Sequence, residues 1–257
     1  MTPKALVIRA AGSNCDQETK FAFEFVGAKA DLVHINRLVS REVNLEDYQI
    51  LAIPGGFTYG DDISAGKILA NELKHKLADA LLAFHQQGKL IIGICNGFQV
   101  LVKAGLLPVV DFSADQMVTL TNNDSGKFED RWTFLRINEC PCIFTMDMRT
   151  PVTFPVAHAE GKLVPKDASV MEMLKKNRQV VFQYIAPNGG KAHYPHNPSG
   201  TVDDIAGICD PTGRVLGLMP HPERHFDPTN HPRWTRKGLV KEGDGVVIFR
   251  NAVRYFQ

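Results

Sequence analysis

The stretch Lys89-Leu90-Ile91-Ile92-Gly93-Ile94-Cys95-Asn96-Gly97-Phe98 decides how this chain is read. Its apolar run predicts a buried strand over residues 89–94, and residues 98–104 predict the helix that follows. Between them stands Gly93-x-Cys95-x-Gly97. A nucleophile set in a sharp strand-to-helix turn needs small neighbours, because the backbone there is crowded and strained. This is the elbow logic of serine hydrolases with sulfur in place of oxygen. A thiol at a helix N-terminus also meets the positive end of the dipole and backbone N–H donors, which favour the thiolate. From this pentapeptide Cys95 has two readings, an acyl-accepting nucleophile or a buried cysteine packed at a strand end.

The flanking sequence supplies the frame. Residues 5–8 predict a strand, with Gly12-Ser13-Asn14 as its turn, and residues 16–26 a helix with Phe21, Phe25 and Val26 apolar and Gly27 as its stop. Further strands are expected at 32–35 and 49–53, the second ended by Pro54-Gly55-Gly56. A helix over 71–87 carries Leu73, Leu77, Leu81 and Phe84 on one face. Alternating strands and helices indicate an α/β fold with a mostly parallel central sheet flanked by helices. Ligands of such sheets sit beyond the carboxyl ends of the strands, where both Gly55-Gly56 and Cys95 fall. Later strands are expected at 117–120, 132–137, 180–184, 205–208 and 215–219. Asp210-Pro211-Thr212-Gly213 makes a hairpin of the last two, and 246–256 forms a final helix. Without repeats, low-complexity tracts or a linker, residues 1–257 read as one domain.

With 257 residues, 44% hydrophobic and 22% charged, the composition is that of an ordinary soluble globular protein. A net charge of +1 gives no reason to expect nucleic acid or a membrane surface as partner. No apolar run approaches the ~20 residues that span a bilayer. Met1-Thr2-Pro3-Lys4 leads straight into a strand, so no secretory signal is expected. Five cysteines are an odd number without the density of a disulfide scaffold, which favours a reducing compartment, the cytoplasm.

The second chemical cluster is Met219-Pro220-His221-Pro222-Glu223-Arg224-His225. A thiol nucleophile needs a base, itself oriented by a third group. His221 precedes proline and is biased toward extended backbone, and in an extended segment residues i and i+2 share a face. The Glu223 carboxylate is then placed to receive the ring N–H of His221 and fix its tautomer. Taken alone, the segment reads rather as a polar turn with a surface histidine; paired with the cysteine elbow, it reads as the base and its orienting group. Acyl transfer also needs donors for the carbonyl oxygen. Gly56 N–H with the N–H of Asn96 would supply them, although Gly55-Gly56 after a strand is also a common plain turn.

Other residues point less far. Cys140-Pro141-Cys142 has one intervening residue and no second pair, unlike a zinc site, and the spacing of His221, His225 and His231 fits no ligand pattern, so no metal is expected. Cys15 stands at a predicted helix start with no histidine near it in sequence. There is no phosphate-binding Gly-x-x-x-x-Gly-Lys loop and no dinucleotide fingerprint.

Together the Gly-Gly turn, the cysteine elbow and the late His-Pro-Glu resemble a class I (triad-type) glutamine amidotransferase domain across nearly the whole chain. Gly12-Ser13-Asn14-Cys15-Asp16, Pro54-Gly55-Gly56-Phe57-Thr58-Tyr59-Gly60-Asp61, Gly93-Ile94-Cys95-Asn96-Gly97-Phe98-Gln99 and Met219-Pro220-His221-Pro222-Glu223-Arg224 narrow the likeness. With Asn197-Pro198-Ser199-Gly200, they are similar to the family of glutaminase subunits of phosphoribosylformylglycinamidine synthase. Asn-Gly-Phe-Gln from Asn96 discriminates best, since related amidotransferases more often carry Leu-Gly or Tyr-Gly there.

The resemblance implies a flavodoxin-like amidotransferase fold and a division of labour. This subunit would hydrolyse L-glutamine to glutamate and pass ammonia to a synthetase subunit, which holds the ATP and magnesium; this chain itself would need no cofactor. A small third subunit would bridge the two. Cys95 would attack the side-chain amide, His221 shuttle protons, Glu223 orient it, Gly55, Gly56 and Asn96 serve the oxyanion, and Gln99 help hold substrate. The chain departs from the family at Ser64, where Arg is usual nearby, at Ala159, where Gly is usual, and at Arg9-Ala10-Ala11. Two other readings compete. A peptidase-like or stress-response cysteine hydrolase usually has its histidine close behind the cysteine, whereas here Asn96 follows and the nearest downstream histidine is His158. A non-catalytic interaction subunit with a vestigial triad is opposed by the presence of all three residue types.

Overall fold

Strands whose side chains are apolar on both faces must be covered on both sides, and this chain supplies the helices between them. The computed structural model describes residues 2–148 and 151–257; Met1, which heads the N-terminal stretch quoted above, lies outside them. The first half runs β1 (Lys4–Arg9), α1 (Asp16–Phe25), β2 (Lys29–His34), α2 (Ile35–Val39), β3 (Ile50–Ile53), α3 (Lys67–Lys76), α4 (Ala78–Gln86), β4 (Leu90–Ile94) and α5 (Asn96–Ala104). The second half runs β5 (Val118–Thr121), β6 (Glu129–Ile137), β7 (Val152–His158), β8 (Lys162–Pro165), α6 (Ala168–Lys176), β9 (Val180–Ile185), β10 (Ile205–Cys209), β11 (Val215–Leu218), α7 (Trp234–Lys237) and α8 (Val246–Arg254).

Nine strands form one sheet in the order β2-β1-β3-β4-β11-β10-β9-β6-β7, while β5 and β8 pair separately. The half that carries the site, from β2 to β11, is parallel throughout. From β11 onward the pairs are antiparallel, beginning with the expected hairpin to β10. In the register of β11 on β4, Leu218 stands opposite Ile94. The segment holding His221 therefore leaves the sheet beside the one holding Cys95. No helix among the described residues is long and apolar enough to cross a membrane.

Three expectations change. The single helix over 71–87 is two, because Leu77 leaves the helical region at φ −128° between α3 and α4. Lys74, His75 and Lys76 suit the C-terminal end of one dipole and Asp79 the N-terminal end of the next. Leu73, Leu77, Leu81 and Phe84 are still all buried. In α1 the buried face is Asp16, Thr19, Ala22 and Phe23, and Phe21 and Phe25 are more than half exposed. Two polar groups occupy that inner face, each with a partner there. Asp16 pairs with Arg9 at 2.6 Å, and Thr19 Oγ1 donates to the Cys15 carbonyl at 2.7 Å. The third change is β7, absent from the sequence reading because Pro155 interrupts it. Proline is tolerated there because β7 is the sheet's outermost strand.

Candidate active site

Cys95 occupies the one-residue turn between β4 and α5 with φ 52° and ψ −107°. For a non-glycine residue such backbone costs ~1–3 kcal/mol and persists only where its surroundings over-determine it. Its N–H donates to the Leu218 carbonyl at 2.8 Å, and its own carbonyl accepts from Phe98 and Gln99. Gly97 is required by close approach: a Cβ there would collide with the Ile53 carbonyl of β3. The turn thus aims Sγ off the sheet edge, 3.6 Å from the Ala157 carbonyl of β7, at the positive end of α5.

His221 follows β11, its N–H donating to the Pro155 carbonyl at 2.8 Å. The backbone beyond it is not extended as the sequence suggested. Pro222–Arg224 forms a 3₁₀ turn, and across that turn His221 Nδ1 meets Glu223 Oε1 at 2.6 Å. Both side chains are essentially inaccessible. Burial pushes the His221 ring toward neutrality, but the Glu223 carboxylate and the Cys95 sulfur outweigh it, and its pKa stands well above the ordinary imidazole value. With Nδ1 committed to Glu223, Nε2 is left buried and without a hydrogen-bond partner.

The Gly55-Gly56 turn is shaped by the same crowding. A Cβ on Gly55 would stand 2.7 Å from His221 Cε1, and Gly56 has φ +148°. The turn is strapped to the segment after β1, Phe57 N–H donating to the Gly12 carbonyl at 2.9 Å and Cys15 N–H to the Gly55 carbonyl at 3.1 Å. Among the described residues the N–H groups of Gly56 and Asn96 make no hydrogen bond. Two unengaged donors therefore flank the cysteine.

Gly56, Cys95 and His221 line a pocket of about 210 Å³ together with Asn14, Cys15, Ala157 and Arg224. The half-exposed rings of Phe57 and Phe128, 6.2 Å apart, complete its wall. A larger pocket of about 600 Å³, lined by Gln183, Asn197 and Asp203, contains none of these groups; chemistry rather than size singles out the smaller one. Gln99 does not line it. Its amide donates to the Glu160 carbonyl at 2.6 Å and accepts from Asn96 at 3.0 Å, so it braces the turn after His158.

Some neighbours were beyond reach of the sequence. Cys15, with no histidine near it in the chain, lies 4.0 Å from His221 Nδ1, and Arg224 donates to its sulfur at 2.9 Å. Burial nevertheless raises the Cys15 pKa, so it is a neutral thiol, and it stands outside the elbow that holds Cys95. The ligand atoms of Cys15, His221 and Glu223 lie within 4.8 Å of one another. The Arg224 guanidinium against that sulfur and the proton on His221 make the trio suited to holding a proton rather than a cation. His158, one residue beyond Ala157, is pushed down to about 3 by burial and by the charge of His221. His225 and His231 are buried and pack against the Trp132 ring, His225 edge-on and His231 tilted.

A cysteine elbow, a buried His–Glu pair and free backbone donors at the carboxyl edge of a parallel sheet define a triad-type glutamine amidotransferase. The family model of the CobB/CobQ-like glutamine amidotransferase domain matches residues 2–256. The chain is 48% identical over 253 residues to the phosphoribosylformylglycinamidine synthase subunit PurQ of Dehalococcoides mccartyi, spanning 98% of this chain and 97% of that one. The subunit of the same name from Archaeoglobus fulgidus is 43% identical over 268 residues, 99% and 97% of the two chains. A chain of the solved PurLQS structure from Thermotoga maritima matches over the full length of both, with TM-score 0.76 and 31% identity. A Thermotoga maritima glutamine amidotransferase with TM-score 0.52 and 16% identity, covering 92% of this chain and 82% of its own, shares the fold alone. The chain belongs to the CobB/CobQ-like glutamine amidotransferase family and, within it, to the PurQ subunits of phosphoribosylformylglycinamidine synthase.

Proposed function

We propose that this chain is the glutaminase of a phosphoribosylformylglycinamidine synthase, hydrolysing L-glutamine to glutamate and delivering the ammonia to an ATP-dependent synthetase subunit in purine biosynthesis. The names of its relatives support this, and the Thermotoga maritima neighbour was solved as PurLQS, consistent with a synthetase partner and a small third subunit. ATP and magnesium belong to the synthetase; this chain works without a cofactor, in the cytoplasm. Residues 1–257 act as one amidotransferase domain, a reading supported by a sheet that draws its strands from both halves of the sequence.

The observation that carries the chemistry is His221 locked through Nδ1 to Glu223 at 2.6 Å, with Nε2 left unpaired and Cys95 lining the same pocket. Cys95 as thiolate attacks the δ-carbon of glutamine. The carbonyl π electrons move to oxygen, where the N–H groups of Gly56 and Asn96 receive the charge. Collapse of this intermediate expels the nitrogen, which takes the Nε2 proton of His221 and leaves as ammonia. A water then gives a proton back to Nε2, attacks the thioester, and releases glutamate and the thiolate. Glu223 holds the ring in the one tautomer that serves both steps. Gln99 supports the glutamine-binding wall through Glu160.

Glutamate release is measured for wild type and Cys95→Ala, alone and with the synthetase. The proposal expects release that rises with the partner and vanishes in the variant. Release that survives Cys95→Ala, or a confirmed complex with none, would contradict it.

A further inference from the structure

Asn96 was singled out for its backbone, yet its side chain is the better-connected group. It is 1% exposed, and every hydrogen-bonding site on its amide is used. Oδ1 accepts from Thr58 N–H at 3.2 Å and from Thr58 Oγ1 at 2.6 Å. Nδ2 donates to Asp61 Oδ1 at 2.9 Å and to Gln99 Oε1 at 3.0 Å. Two donors meet the oxygen and two acceptors meet the nitrogen, so the amide's orientation is fixed by its partners.

Two of those partners, Thr58 and Asp61, lie on the strand-end loop that carries Gly56. Thr58 is two residues beyond it, and the stretch that follows is conformationally demanding: Tyr59, Gly60, Asp61, Ile63 and Gly66 all have positive φ between 54° and 71°. Such a loop does not hold its shape by backbone preference. Nothing in the 55–61 segment belongs to the sheet; backbone hydrogen bonds strap it to residues 11–15, and its side-chain hydrogen bonds to the elbow run through the Asn96 amide.

We propose that the Asn96 side chain is a positioning residue that sets the separation between the two oxyanion donors, its own N–H and that of Gly56, by clamping Thr58 and Asp61 onto the elbow. One residue thus contributes one donor through its backbone and fixes the other through its side chain. The proposal rests on the reading of Cys95 as the acyl acceptor. It also gives Asn at this position a physical purpose, since a leucine there would leave the Thr58 and Asp61 groups unpaired.

The test uses the complex with the synthetase and compares wild type, Thr58→Val, Asn96→Ala and the double variant. Asn96→Ala is expected to lower kcat on the order of 10²-fold, the loss typical of one displaced oxyanion donor, with KM changed less than about threefold. Thr58→Val, which removes only the hydroxyl, is expected to lower kcat about fivefold in the wild-type background and not at all in the Asn96→Ala background, because both changes open the same clamp. Alkylation of Cys95 by iodoacetamide builds no carbonyl oxyanion, so its rate should stay at the wild-type value in all variants. Near-wild-type kcat in Asn96→Ala, equal Thr58→Val losses in both backgrounds, or alkylation falling in step with kcat would each overturn the proposal. Glutamate release persisting in Cys95→Ala would instead remove the reading beneath it.

Discussion

The N–H of Cys95 donates to the carbonyl of Leu218 at 2.8 Å, joining the elbow turn to the strand that leads into His221. Cys95 and His221 sit 126 positions apart in sequence, yet they hang from adjacent parallel strands in a fixed register. Their relative position is therefore a property of the sheet, and the small turns above it make the final adjustment.

Replacing Glu223 by Gln removes the carboxylate while keeping the side chain's shape. Burial alone would push the His221 ring down, and the Glu223 carboxylate is the first of the groups that outweigh it. Without that charge the imidazolium, which in the proposed mechanism gives its proton to the departing amide nitrogen, is lost at lower pH. The alkaline limb of the kcat/KM profile should shift toward acid, and kcat should fall on the order of 10²- to 10⁴-fold, as when a triad's orienting carboxylate is neutralised. A pH–rate profile of the variant checks both.

Gly55→Ala should separate activity from folding. The new Cβ would stand 2.7 Å from His221 Cε1 and 3.2 Å from Cys15 Sγ, so the ring must retreat by several tenths of an ångström. A misplacement of about 1 Å at a reacting centre can cost about 10²-fold in rate, and this smaller shift is expected to cost about tenfold. Glutamate release should drop accordingly while the thermal midpoint and partner binding stay close to wild type.

His158 should make the protein acid-sensitive. Its ring is held neutral, with a pKa near 3 because of burial first and the His221 charge second, whereas an unfolded histidine titrates near ~6.5. Between those values the unfolded chain binds the extra proton, so stability is full above ~6.5 and falls as pH drops, by up to about 1.4 kcal/mol per pH unit. His158→Gln should flatten this slope, measured by denaturant unfolding between pH 7 and pH 4.

Cys15→Ser should leave most activity in place. Cys15 touches His221 and Arg224 but is held as a neutral thiol by burial, and it stands outside the strained elbow. A kcat within about tenfold of wild type is expected, since the exchange keeps a polar group of similar shape.

The readable and unreadable parts divide along physical lines. The β4–Cys95–α5 unit was legible because an apolar run, two glycines and a helical pattern all agree within a few residues. His221 and Glu223 were legible as an i, i+2 pair, although the backbone between them turns rather than extends. What escaped depends on distant packing. Arg9 makes a buried Asp16 tolerable and so decides which face of α1 is inside. The outer position of β7 excuses Pro155, and with β7 come Ala157 and the deeply buried His158. Phe128 reaches the pocket from just before β6, with no local signal to mark it.

The most direct measurement is to mix the complex with glutamine, quench in acid within a turnover, and locate any glutamyl adduct by peptide mass. Two thiols, Cys95 and Cys15, line the same pocket, so the position of the adduct is informative. The account predicts a γ-glutamyl thioester on the peptide carrying Cys95, still formed in Cys15→Ser and absent in Cys95→Ala. An adduct on Cys15, or full turnover in Cys95→Ala with no adduct at all, would contradict it.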